Sequence, residues 1–150
     1  MPATCVRSFR RSLLLSSIGV ALAVGHAGAG GVARAKDPAI ATGLSANETA
    51  VVAHTNDARA KRGLGPLVAD AALMNGARRQ AAWMARNRNL SHGQGVTENI
   101  AMGQSSPSEA VADWMRSDGH RANILGSHSR IGVAMARAAD GTIYWCQQFR

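Results

Sequence analysis

The sequence has only two cysteines, Cys5 and Cys146, and this excludes a disulfide framework. Cys5 lies in an N-terminal segment that we expect to be cleaved, so Cys146 would remain alone in the mature chain. A domain of about 120 residues buries roughly two thirds of its unfolded surface and can be stable without a disulfide. We therefore expect Cys146 to pack as a small apolar side chain rather than to act as an exposed thiol.

The N-terminal apolar run, Leu13–Val24, is too short to span a bilayer as a stable helix. It follows the basic segment Arg7–Arg11, and this order is typical of a secretory signal peptide over residues 1–29. Small-residue cleavage sites occur at Ala27–Ala29 and at Ala33–Ala35, so cleavage as late as residue 35 stays open. No cysteine for lipid attachment follows the run. We expect a secreted or periplasmic protein with no transmembrane segment in its mature chain.

The positive charge of the sequence gives little support for a nucleic-acid partner. The full chain carries 17 basic and 9 acidic residues, a net charge of +8. Loss of the three arginines in the signal peptide would leave a net charge of about +5. The sequence also has no internal repeat and no internal linker. We therefore expect one domain over residues 45–150, and a monomer, with nucleic acid an unlikely partner.

Helix-capping patterns predict three helices. Ser45–Glu48 is a capping box for a first helix over residues 45–62, and Gly63 suits a left-handed C-terminal position. Asp70 is an N-cap for a second helix, and Ser106–Glu109 is a second capping box for a third helix that ends near Ser117. The predicted inward-facing residues are Val51, Thr55, Ala58 and the stem of Arg62 in the first helix, Leu73, Ala77, Ala81 and Met84 in the second, and Val111, Trp114 and Met115 in the third.

The C-terminal residues alternate in polarity as antiparallel strands do. Ile131–Met135 and Trp145–Phe149 each have this period of two, and Asp140–Gly141 lies between them in a bend. The pattern predicts a closing hairpin. Together with the helices it indicates an α+β fold in which helices cover a small sheet.

Two segments carry residues suited to chemistry. Leu90–Gly103 is rich in glycine, and we expect it to be a loop that presents His92 and Glu98 rather than burying them. Ser117–Leu125 supplies His120. Imidazole and carboxylate groups together can bind a divalent cation or transfer protons. A histidine in a glycine-rich loop also often bonds only to the backbone, so a structural role stays open.

An ordered series of motifs resembles the CAP superfamily, which comprises cysteine-rich secretory proteins, antigen 5 and pathogenesis-related proteins, in its short bacterial SCP-like form. The match covers about residues 48–150. The resemblance implies a three-layer α-β-α sandwich with a small, mainly antiparallel sheet, secretion, and a central cleft. The motifs are N-x-x-R at Asn56 and Arg59, GLGPL at Gly63–Leu67, LSH at Leu90–His92, ENIAMG at Glu98–Gly103, WM at Trp114–Met115, GHRANIL at Gly119–Leu125, IGVAMA, and YWCQQF.

In many CAP proteins two histidines and two acids line the cleft, and the resemblance assigns three of these positions here. His92 and His120 match the histidines, and Glu98 matches the first acid. The position of the second acid holds Ser117. We put forward Asp118 as a partial replacement that points into the cleft along the buried stripe of the third helix, with capping of the following turn as its alternative role. The resemblance also marks Asn56, Arg59, Asn99 and Asn123 as structural motif residues.

Three functions fit these residues. The first is a non-catalytic extracellular binding module whose cleft holds a small ligand or a divalent metal, with zinc expected on His92 and His120, together with Glu98, and a water as fourth ligand. The second is a metal-dependent peptide or ester hydrolase in which Glu98 serves as base. The third is an envelope or lipid-binding protein that acts through its surface. No catalytic residue is assigned, and the partner is an unidentified small ligand or envelope component.

Overall fold

A computed structural model describes residues 43–150, in which four helices flank a four-stranded sheet. The predicted signal peptide and its two cleavage sites lie outside the described residues. The elements in chain order are α1 (Ala46–Ala60), β1 (Val68–Ala69), α2 (Ala71–Asn87), β2 (Thr97–Met102), α3 (Pro107–Arg116), α4 (Asp118–Leu125), β3 (Arg130–Arg137) and β4 (Ile143–Phe149).

The first helix begins as its capping box predicts. The Glu48 amide donates to Ser45 Oγ at 3.3 Å, and the Ser45 amide donates to Glu48 Oε2 at 2.8 Å. The helix ends at Ala60, two residues earlier than predicted, and Gly63 follows in the left-handed region at φ 71°. Arg62 therefore lies beyond the helix and is exposed, so its predicted place on the inward stripe is wrong.

The second helix is capped by Asp70, as predicted. Its Oδ1 accepts from the amides of Ala72 and Leu73, each at 3.0 Å. Of the predicted inward residues, Ala77, Ala81 and Met84 are buried, whereas Leu73 is only half-buried and its neighbour Met74 lies in the core. The predicted stripe is therefore correct except at its first position, where the direction of entry onto the sheet brings Met74 inward.

The third helix has half of its predicted capping box. The Glu109 amide donates to Ser106 Oγ at 3.2 Å. The Glu109 carboxylate, however, accepts from the amide and the hydroxyl of Ser105, at 2.8 and 2.9 Å, rather than from the Ser106 amide. The chain then turns at Ser117 and forms α4, where the sequence predicts only a short turn.

The sheet is mainly antiparallel, as predicted. Its strand order is β1-β3-β4-β2, with β3–β4 and β4–β2 antiparallel and the two-residue β1 parallel to β3. The predicted hairpin is β3–β4. The expectation that Leu90–Gly103 is a loop throughout is wrong, because Thr97–Met102 forms the edge strand β2 and four of its six residues are buried. Pairing with β4 satisfies the backbone hydrogen bonds of β2. The residues of β2 alone do not indicate this pairing.

Two apolar cores lie on opposite faces of the sheet. On one face, Ala77, Ala81 and Met84 of α2 pack on Ile100 and Cys146. On the other face α1, α3 and α4 cover a larger core whose fully buried members include Val51, Trp114, Ile124, Val133 and Trp145. This arrangement is the α-β-α sandwich that the sequence predicts. Among residues 43–150, no helix has both the length and the apolar character needed to cross a membrane.

Helix α2 sits directly on the sheet at Gly132. A Cβ added there would overlap the carbonyl group of Leu73 and lie 2.5 Å from the Met74 amide nitrogen. The amide of Val133 also donates to Met74 Sδ at 3.2 Å. The absence of a side chain at Gly132 therefore sets the distance between α2 and β3.

Candidate functional site

Glu98 is a buried carboxylate that accepts from four neighbours, and its side chain is only 1% exposed. Its Oε1 accepts from the Gly93 amide at 2.7 Å and lies 3.1 Å from His92 Nδ1. Its Oε2 accepts from Gln148 Nε2 at 3.0 Å and from the Cys146 thiol at 3.4 Å. The expectation that Glu98 is presented by a loop is therefore wrong, because strand β2 carries it into the interior.

His92 is held by Glu98 yet remains open to solvent, with 57% of its side chain exposed. Because a carboxylate oxygen only accepts, the contact requires that His92 Nδ1 carries the proton and donates. This tautomer leaves Nε2 as an acceptor. Because the His92 side chain is largely exposed, one imidazole nitrogen keeps a lone pair for a ligand that approaches from solvent.

Two residues of helix α2, Gly76 and Gln80, support this site. The Gln148 side chain that holds Glu98 occupies the space left by Gly76, where a Cβ would overlap Gln148 Oε1. The chain leaves α2 through Arg88, in the left-handed region at φ 50°, and folds back along the helix. Gln80 Nε2 then donates to the Ser91 carbonyl at 2.5 Å and fixes the segment that carries His92.

His120 approaches from α4, on the other side of the edge strand. Asn99 Nδ2 donates to the His120 carbonyl at 3.0 Å, and Asn123 Nδ2 donates to Asn99 Oδ1 at 2.9 Å. Because Glu98 and Asn99 are consecutive in β2, their side chains point to opposite faces of the sheet. Strand β2 therefore holds the His92 ring through Glu98 on one face and the His120 backbone through Asn99 on the other.

The two imidazoles are electrostatic neighbours. Burial lowers the pKa of His120, and the charge of His92 lowers that pKa further. These are the two histidines that the motifs predict to share one cleft. Their convergence stays a prediction, which the effect of His92 on the pKa of His120 supports.

Asp118 does not take part in this site. Its side chain is 92% exposed and accepts from Arg121 Nη2 at 2.6 Å. The predicted inward orientation is wrong because α3 ends at Arg116 and the turn at Ser117 breaks the helical stripe before Asp118. Asp118 instead lies in the first turn of α4, where a negative charge interacts favourably with the helix dipole.

The side chains of His92, Glu98 and His120 are not arranged as three ligands of one metal ion. In the described part of the chain, no group of three His, Cys, Asp or Glu side chains is arranged to hold a metal ion. Glu98 uses its oxygens on its own chain, whereas His92 and His120 each keep an imidazole near the surface. The donors that remain for a cation are therefore the two histidines.

The Cys146 thiol is part of the support for Glu98 rather than a separate reactive group. It is free and fully buried, as the sequence predicts. Burial raises the pKa of the Cys146 thiol well above its usual value, and the nearby Glu98 charge adds to the effect. The thiol therefore stays protonated and donates to the carboxylate.

Asn56 and Arg59 tie loops together, as expected for structural motif residues. Asn56 exchanges two hydrogen bonds with the backbone of Leu67, at 3.0 and 2.8 Å. Arg59 is buried and donates to four backbone carbonyls, and burial lowers its pKa. The acceptors are the carbonyls of Gly65 (2.8 Å), Ile124 (2.7 Å), Gly126 (2.9 Å) and His128 (3.4 Å).

Two glutamines of β4 belong to the site and were not identified from the sequence. Gln148 holds Glu98, and Gln147 donates to Thr55 Oγ1 at 2.6 Å while its Oε1 accepts from Asn99 at 3.3 Å. Both are buried. Two adjacent amides in an otherwise apolar strand are a signal for buried hydrogen bonding, because such groups are costly without partners.

Comparison with known proteins assigns this chain to a family. The family model for the cysteine-rich secretory protein family (CAP) matches residues 52–149. The chain is 38% identical over 125 residues to the Bacillus subtilis (strain 168) protein named "Uncharacterized protein YkwD". The match covers 71% of this chain but 48% of that relative, so the chain spans about half of the relative's length.

Solved structures of low sequence identity share the fold. An outer surface protein from Borrelia burgdorferi superposes with a TM-score of 0.62 at 18% identity, covering 67% of this chain and 89% of that one. An extracellular protein containing a SCP domain from Bacillus anthracis str. Ames gives a TM-score of 0.59 at 24% identity, with 69% and 40% covered. This chain is therefore an α-β-α sandwich. It belongs to the CAP superfamily, the cysteine-rich secretory protein family.

Proposed function

We propose that this chain is an exported, non-catalytic binding module whose cleft holds a small ligand or a divalent ion between His92 and His120. The observation that carries the proposal is the hydrogen bond from His92 Nδ1 to the buried Glu98 carboxylate, which fixes the ring and leaves Nε2 free. The lowered pKa of His120 keeps that ring neutral and therefore able to accept or to bind a cation at neutral pH.

A divalent ion would be held by the two imidazoles. A histidine ligand typically donates its other ring nitrogen to a carboxylate, and this is the relation between His92 and Glu98. Imidazole nitrogen is a common ligand of zinc, and water would complete the coordination of the ion. In this role Glu98 orients a ligand rather than coordinating the ion itself.

The contacts of Glu98 favour binding over hydrolysis. A carboxylate offers about four lone-pair sites, and four donors already approach them. A general base must accept a proton from water through one of these sites. Glu98 would have to lose one of its structural hydrogen bonds to do so, and the metal-dependent hydrolase is therefore the weaker candidate.

Export is proposed from two features. The N-terminal basic and apolar segment has the order of a secretory signal, and the family is one of secretory proteins. The partner would then be a small ligand or an envelope component that the protein meets outside the cytoplasm.

Zinc is the probe that tests this proposal. We expect the melting temperature to rise on the order of 10 °C at a zinc concentration about 100 times its Kd. His92→Ala and His120→Ala should each remove most of that rise. Glu98→Gln should weaken zinc binding by about 10- to 100-fold, because it removes the carboxylate that orients His92.

The matched control is His54→Ala, which removes an exposed histidine of α1. It should keep the full zinc response. The proposal of a two-histidine metal site fails if wild type shows no zinc response, or if the response survives in both cleft variants. Melting temperatures measured without zinc separate loss of binding from loss of stability.

A further inference from the structure

A second candidate site lies on the α2 face of the sheet and is lined by arginines. A surface pocket of about 550 Å³ is formed by the C-terminal half of α2 and the end of β3. Its wall consists of five alanines and three arginines, Arg86, Arg88 and Arg137. Among residues 43–150, no acidic residue contributes to this wall. We call this feature the arginine pocket.

The guanidinium groups of the arginine pocket are largely free to bind. Within residues 43–150, Arg86 makes no hydrogen bond or ion pair and is exposed. Arg137 uses one donor, from Nη1 to the Gly141 carbonyl at 2.8 Å. Arg88 is 63% exposed, and its Nε lies 3.5 Å from Asp140 Oδ2. Most of the donors in the pocket therefore have no partner in the part of the chain that the structure describes.

Asp140 competes weakly for Arg88. Its Oδ1 already accepts from the Thr142 amide at 2.9 Å, and this hydrogen bond is the main cause of its lowered pKa. A pair that is exposed on both sides contributes little free energy. An anion of higher charge that enters the pocket can therefore displace Asp140 from Arg88.

The arginine pocket is separate from the histidine cleft. Glu98 pairs with Gln148, which pairs with Gly132. The pocket begins at Ala136, four residues further along β3, which corresponds to about 13 Å. Binding in one site therefore does not require the residues of the other.

We propose that the arginine pocket binds a phosphate group. Three arginines line this pocket, and a guanidinium fork can bind two oxygens of a phosphate dianion in parallel. The five alanines of the wall have small side chains, which leave room for an anion beside the arginines. A site of this size accommodates a phosphate together with part of the molecule that carries it.

Helix stabilisation does not account for the whole cluster. Arg86 lies in the last turn of α2, where a positive charge is favourable to the helix dipole. That effect explains one arginine. Arg137 belongs to β3, and Arg88 lies beyond the helix in a left-handed conformation that disfavours any side chain. A common anionic ligand explains why all three positions carry arginine.

The test is titration of the full chain with inorganic phosphate at constant ionic strength, followed by calorimetry and by the amide resonances of residues 136–139. We expect Arg86→Ala and Arg137→Ala each to weaken binding by about tenfold, as loss of a charge-assisted hydrogen bond does. Arg79→Ala is the matched control, because Arg79 is exposed on the same helix but lies outside the pocket. It should leave the affinity unchanged.

Two further variants separate binding from folding. Asp140→Asn keeps an acceptor for the Thr142 amide but removes the competing charge, so phosphate should bind several-fold more tightly. Arg88→Gly should raise the melting temperature, because glycine adopts φ 50° without strain, and yet weaken phosphate binding. Opposite changes in stability and affinity cannot come from a damaged fold.

A parallel titration with glycerophosphoglycerol, the water-soluble headgroup of an anionic lipid, distinguishes the sources of phosphate. Tighter binding of this diester than of inorganic phosphate supports a lipid or polymer phosphodiester, and the reverse supports a terminal phosphate. The proposal is overturned if neither compound binds. It is also overturned if the pocket variants and Arg79→Ala weaken binding equally, since that result would reflect net charge alone.

Discussion

Gly132→Ala is expected to destabilise the protein by about 3 kcal/mol or more, or to prevent folding. The added Cβ would overlap the backbone of Leu73 and Met74, in the first turn of α2. A backbone fixed by the Asp70 cap and by the Met74 contact with β3 cannot move aside as the end of a flexible side chain can. Relief of the overlap requires that α2 move away from the sheet, which would open the core between them.

The control for this substitution is Gly119→Ala in α4. A Cβ at Gly119 meets nothing within 4 Å, and alanine is the better helix former, so we expect a gain of about 0.5–1 kcal/mol. Urea unfolding of both variants measures the difference. A Gly132→Ala variant within about 1 kcal/mol of wild type would contradict the described packing of α2 on β3.

Arg59→Ala is expected to cost about 3 kcal/mol or more, because it leaves the buried Ile124 carbonyl and three partly buried carbonyls without this donor. Arg59 is only 4% exposed, and its guanidinium joins the loop after α1 to the loop after α4. Both loops should therefore loosen, and α4 with His120 should become less ordered.

Arg62→Ala is the matched control, since Arg62 lies one turn further along and is exposed. Its removal should change the free energy of unfolding by no more than about 0.5 kcal/mol. Arg59→Lys should fall between the two, because one ammonium group cannot reach carbonyls that a guanidinium fork spans. Equal stabilities of the Arg59→Ala and Arg62→Ala variants would show that the loop contacts of Arg59 contribute nothing.

The helices and the hairpin could be predicted because their signals are local. The caps at Ser45 and Asp70 satisfy amides within three residues, and the alternation in β3 and β4 is visible along the chain. Strand β2 could not be predicted, because the glycine-rich segment that precedes it indicates a loop. Its pairing with β4 joins residues about 50 positions apart, which a local pattern does not show. A strand at the edge of a sheet is defined by its partner more than by its own residues.

Sequence motifs could name the residues of the candidate site but could not predict the role of each. The motifs identified His92, Glu98 and His120, and the structure places His92 Nδ1 3.1 Å from Glu98 Oε1. The role of Glu98 depends on Gln148 and Cys146, which no local pattern connects to it. The position of Asp118 could not be predicted, because the sequence marks the turn between α3 and α4 with neither glycine nor proline.

The convergence of His92 and His120 on one cleft is tested most directly by the pKa of His120, measured from the imidazole proton resonances in wild type and in His92→Ala. Burial and the charge of His92 both lower the pKa of His120, so loss of His92 should raise it, while His54→Ala should leave it unchanged. A pKa of His120 that is the same in His92→Ala and wild type would place the two rings in separate environments and contradict the shared site.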